Sequence, residues 1–160
     1  MLTISKEEPS AIDDAKITLQ VKSKLAMEKG ISASKINVKT MNGVVFLTGK
    51  LDSQKQASIA VEIASSVSGA IDVDTSKLEV SESNQPLVDI YITAKVKGLF
   101  LREELFGSKE VAAIAINVET KNGIVYLSGT VNKADLEKNA ISLAKQIKGV
   151  KEVVSNIKVN

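Results

Sequence analysis

The segment INVKTMNGVVFLTG begins at Ile36, and INVETKNGIVYLSG begins at Ile116, eighty positions further on. A chain of 160 residues that writes one pattern twice is constrained to build one small unit twice. Units of about 70 residues sit near the lower limit of independent stability, so each is expected to lean on the other. Within each copy, apolar residues alternate up to an Asn-Gly pair and alternate again beyond it, with Val45 and Leu47 inward in one copy and Val125 and Leu127 in the other. Asn-Gly between alternating segments predicts a β-hairpin, because both turn positions must take a positive φ. Gly43 and Gly123 are therefore turn residues.

Beyond the hairpins, Gly49 and Gly129 are expected to end or bend the second strand, and Asp52 and Asn132 stand where a helix N-cap belongs. A helix should follow, with Ala60, Ile63, Ala64 and Val67 inward in the first copy and Ala140, Leu143, Ala144 and Ile147 in the second. Gly69 and Gly149 fit its stop, and IDVDTSKLEV or VKEVVSNIKV reads as a third strand. An earlier helix precedes each hairpin, carrying Ile17, Val21 and Leu25, or Ile92, Val96, Leu99 and Phe100. The expected fold is α+β: two tandem α-β-β-α-β two-layer sandwiches, each a three-stranded sheet with two helices on one face. The division is a polar tail over 1–11, a first domain over 12–80, a linker over 81–87 and a second domain over 88–160. Strand order stays open at this point.

The chain has no cysteine and no histidine, which removes thiolate nucleophiles, Ser-His pairs and His/Cys metal sites. No cofactor, metal or catalytic residue is expected. The segment DVDTS suggests a calcium loop but fails as one, since Lys77 replaces the required glycine and Ser83 the bidentate glutamate; Asp72 and Asp74 read as exposed strand positions. A formal charge of +2 does not by itself mean nucleic acid, and no run of apolar residues is long enough to span a bilayer.

The segments ITLQVKSKL and ITAKVKGLF, each followed by a V-x-T-x-x-G-x-V-x-L-[ST]-G hairpin, resemble the BON domain family over nearly the whole chain, from Ile12 to Asn160. NGIVYLSGTV and LAKQIKGVKEV make the second copy the closer match, while SGAIDVDTSKLEV has one residue more than its partner and lacks the Gly-Val pair at Gly69-Ala70. The resemblance implies a non-enzymatic bacterial protein of the periplasm, its export signal or lipid anchor trimmed, associated with anionic phospholipid and with envelope integrity under osmotic or other stress. A periplasmic chaperone or scaffold for envelope proteins is the alternative.

Three candidate surfaces follow from the residues. From Ile17 to Ile36 is nineteen positions but from Ile92 to Ile116 twenty-four, so five residues are inserted ahead of the second hairpin. In that region Tyr91, Leu101, Leu105 and Phe106 exceed one buried stripe, and with Lys95, Lys97 and Arg102 they form a candidate lipid-binding edge. The plainer reading packs the surplus against the first domain. A second candidate is the basic stripe Lys138, Lys145 and Lys148, whose counterparts eighty positions earlier are Ser58, Ser65 and Ser68. Nucleic acid is not the expected partner of that stripe, because aromatics for stacking are missing. The third is the outer sheet face with Val44, Phe46, Ile124 and Tyr126, expected to meet the other domain or a protein partner.

Overall fold

The computed structural model describes residues 11–81, 87–103 and 116–160. In the first unit, helix α1 (Ala11–Met27) leads through a short 3-10 turn to strands β1 (Ile36–Met41) and β2 (Val44–Leu51), then helix α2 (Gln54–Ser65) and strand β3 (Asp72–Val80). The second unit repeats the order with α3 (Val88–Arg102), β4 (Ile116–Lys121), β5 (Ile124–Val131), α4 (Ala134–Lys145) and β6 (Glu152–Val159). The expected α+β double sandwich is what forms. Each sheet has the hairpin's second strand in the middle, in the orders β1-β2-β3 and β4-β5-β6. A two-residue turn permits only an antiparallel pair, and the helical crossover returns the last strand parallel to the middle one.

Asn42 and Gly43 take φ of 51° and 83°, and Asn122 and Gly123 repeat this at 52° and 81°, the geometry the hairpin demands. Val45, Leu47, Val125 and Leu127 point inward and are fully buried. They meet the inward face of each first helix, where Ile17, Val21 and Leu25, or Ile92, Val96 and Phe100, are buried; Leu99, expected on the same face, is buried instead at the cleft between the two units.

A carboxylate then ties helix to hairpin in both units. Asp14 accepts from the backbone N–H of Asn42 and of Gly43, both at 2.9 Å; Asp89 accepts from Asn122 at 2.8 Å and Gly123 at 3.0 Å. One turn along, Thr18 bonds Thr40 and Thr93 bonds Thr120, both at 2.7 Å. The turn's two outward N–H groups thus find charged acceptors instead of water.

Several local expectations need correction. Gly49 and Gly129 bend their strands but do not end them: both have φ near 120° or above, and pairing runs on to Leu51 and Val131, whose side chains are buried. The N-cap of α2 is Ser53, whose hydroxyl accepts from the Gln56 N–H at 3.2 Å, while Asp52 pairs with Lys35 at 3.0 Å; Lys133 occupies the α4 cap without a side-chain bond. Helices α2 and α4 are capped by Ser66 and Gln146, so Gly69 and Gly149 sit three residues later, in the turn to the last strand. The extra residue of the first copy becomes a bulge in β3, between the partners of Phe46 and Thr48. Asp74 locks it, accepting from the Ser76 N–H at 2.9 Å and hydroxyl at 2.6 Å, and these bonds hold its carboxyl below the usual range.

Candidate functional site

The site begins with a difference between the two repeated helices. Aligned on Asp14 and Asp89, Leu19 and Ser23 of α1 correspond to Ala94 and Gly98 of α3. The smaller pair lets α3 bury a second face. While Ile92, Val96 and Phe100 fill the second core, Ala94 belongs to the first, and Tyr91 packs half-buried against it. The four helices therefore run as one layer, α1 beside α2, α2 beside α3 and α3 beside α4. Helix α2 is correspondingly buried on two sides, with Val61 and Ser65 turned out of its own sheet's stripe and covered.

Polar contacts frame this junction. Lys95 pairs with Asp72 at the start of β3 at 3.0 Å, with side chains 13% and 28% exposed. Arg102 donates through Nη1 to the Ala70 carbonyl and through Nε to Glu103 at 3.2 Å. Burial pushes the Tyr91 hydroxyl pKa up. Burial also raises the Glu62 carboxyl above its ordinary value, outweighing the attraction of nearby Lys97, and Glu28 adds to the rise.

These placements divide the lipid edge read from the sequence. Tyr91, Lys95 and Arg102 are drawn into the domain junction, because an adjacent helix and strand offer them apolar cover and acceptors. Lys97 is exposed and Leu101 is 48% exposed, so both remain on the surface. Leu105, Phe106 and the five inserted residues lie outside the described residues. The basic stripe is split: Lys138 and Lys145 lie on α4, whereas Lys148 falls in the turn beyond its end; all three are exposed, and none makes an ion pair among the described residues. Glu137, next to Lys138 in sequence, is turned to the sheet instead, where it accepts from the Ser155 hydroxyl at 2.7 Å.

The domain half of the sheet-face expectation does not hold, because small residues on α2 and α3 already make the junction through the helical layer. Val44, Phe46, Ile124 and Tyr126 are half-buried. Phe46 lines a groove with Asn37, Met41 and Thr48, and Tyr126 lines its counterpart with Asn117 and Ser128. Asp72, read as a plain exposed position, serves the junction. Asp14, Asp89, Ser65 and Gly98 were not singled out from sequence; a D-x-x-I-T spacing shared by Asp14–Thr18 and Asp89–Thr93, and a glycine within an apolar helix, were the available signals.

Among the described residues there is no acidic or His/Cys cluster able to hold a metal and no helix long and apolar enough to cross a membrane. The fold defines a tandem α+β sandwich whose distinctive groups are surface cations and apolar edges. The chain belongs to the BON domain family, whose model matches residues 13–82 and 89–160. It is 36% identical over 152 residues to osmotically-inducible protein Y of Escherichia coli, covering 92% of this chain and 73% of that one. It is 28% identical over 127 residues to a 21 kDa hemolysin of Actinobacillus pleuropneumoniae, covering 78% and 62%. Over 56 residues it is 43% identical to the outer membrane lipoprotein DolP of Haemophilus influenzae, covering 35% and 28%. Its relatives are thus BON proteins of the bacterial envelope and osmotic response, and none of these three is named for a catalytic activity.

Proposed function

We propose that this chain is a non-catalytic periplasmic protein that binds anionic phospholipid surfaces and supports envelope integrity under stress. The observation that carries this reading is the flank of α4. Lys138 and Lys145 lie two turns apart on α4, about 10 Å along its axis, and Lys148 follows in the turn beyond the helix end, with the neighbouring carboxylate of Glu137 turned away. Against these three cations stands one exposed carboxylate on the same face, Asp135 one turn before Lys138, and a local excess of cations is what a charge-balanced chain needs to be attracted to an anionic surface, where each such lysine contributes about 1 kcal/mol. Lys97 and the exposed Leu101 add a cation and an apolar contact on the adjacent helix. Co-sedimentation with vesicles tests it: the chain should pellet with phosphatidylglycerol-containing vesicles and not with pure phosphatidylcholine. Equal recovery from the two would overturn it.

The grooves beside Phe46 and Tyr126 support a second reading, a holding site for partly folded envelope proteins. Suppression of a client's aggregation should then fall in Phe46→Ala/Tyr126→Ala. No suppression by the unaltered chain at several-fold excess removes this reading.

A further inference from the structure

The end of α2 and the start of β3 in the first domain, with α3 and the turn after α4 in the second, enclose a cleft of about 260 Å³. At about 30 Å³ per water, that holds a small ester and a few waters but no folded segment. Three cations line it, Lys95, Arg102 and Lys148, against one carboxylate, Asp72. Their donors are mostly unused. A guanidinium has five N–H donors and an ammonium three. Among the described residues Arg102 uses Nε and Nη1, Lys95 makes one bond to Asp72, and Lys148 makes none.

A neutral donor points the same way. Ser65 also lines the cleft; it is only 9% exposed, and its Oγ is buried with no hydrogen-bond partner among the described residues. A hydroxyl left unmatched at a domain junction costs stability unless something else satisfies it. Of the nearby carboxylates, Asp74 feels the charges of Lys95 and Lys148 but makes its direct bonds to Ser76, and Glu103 takes the Nε side of Arg102, so among the described residues no carboxylate directly binds Lys148 or the remaining donors of Arg102. The exposed Ile71, with Ile147, gives the cleft an apolar lip.

We infer that this interdomain cleft binds a phosphate-ester anion, held by Lys95, Arg102 and Lys148 with Ser65 as a fourth donor. The same chemistry is found in a free phosphate ester and in a phospholipid headgroup. The inference does not rest on the membrane reading of the α4 flank.

Titration of the 15N-labelled chain with inorganic phosphate and with sn-glycerol 3-phosphate, against chloride at equal ionic strength, tests it by amide shifts. Saturable shifts are expected around Ser65, Asp72, Arg102 and Lys148. Lys148→Gln, a change at an exposed side chain, should weaken binding about fivefold. Ser65→Ala should weaken it about threefold to tenfold without lowering thermal stability. An absence of saturable shifts, or affinities unchanged in both variants, would overturn the assignment. Vesicle binding is scored separately: phosphate binding without vesicle binding leaves the cleft and removes the membrane reading, and the converse removes the cleft.

Discussion

Gly98 of α3 sits against Ser65 of α2 so closely that a Cβ at position 98 would stand 2.5 Å from the serine Cβ, and closer still to the Glu62 carbonyl oxygen. This contact fuses two small domains into one helical layer. In an ordinary helix interior, Gly→Ala gains about 1 kcal/mol of propensity. Here backbone stands in the way, so Gly98→Ala should instead destabilise by about 1–3 kcal/mol. The sign of the change in urea midpoint decides whether the junction is as close as described.

The carboxylate clamp from Asp89 to Asn122 and Gly123 predicts a second stability effect. Charge-assisted bonds contribute about 1.5–3 kcal/mol, and partial exposure places the pair's loss at the lower end of their sum. Asp89→Ala should cost about 3 kcal/mol, and Asp14→Ala a similar amount in the first domain. Asp89→Asn, which can still accept one bond, should lose less. Denaturant unfolding of the three variants checks the order.

Glu62 predicts a pH dependence. Its folded pKa is raised, chiefly by burial, so the ionised form is disfavoured in the folded chain. The penalty is absent below its unfolded pKa near 4.5, appears as pH rises through the raised folded value, and persists at neutral pH. Glu62→Gln should therefore be more stable than the unaltered chain at pH 7, with the difference vanishing below about pH 4. Thermal melts of the pair at both pH values measure this, and a difference that grows on acidification would contradict it.

The hairpins and the inward helical faces were legible because period and turn chemistry are local: Asn42-Gly43 and Asn122-Gly123 need a positive φ whatever surrounds them. The junction was not. Gly98, Ala94 and Ser65 are small residues whose role appears only when two helices from different repeats meet, and Lys95 finds Asp72 across 23 positions of chain. The added residue in the first copy was visible as a count, yet only the pairing of β2 with β3 locates it as a bulge at Asp74–Ser76. Similarly, composition alone makes Lys95, Lys97 and Arg102 equivalent cations. Packing separates them, taking two into the junction and leaving Lys97 on the surface.

The proposed contact of the α4 flank with an anionic phospholipid surface is tested most directly by vesicle co-sedimentation of Lys138→Gln/Lys145→Gln/Lys148→Gln beside the unaltered chain. At about 1 kcal/mol per lysine, the triple change should weaken partitioning onto phosphatidylglycerol-containing vesicles roughly a hundredfold. Because these side chains are exposed and unpaired among the described residues, the melting temperature should stay where it was. Undiminished binding by the triple variant would contradict the account.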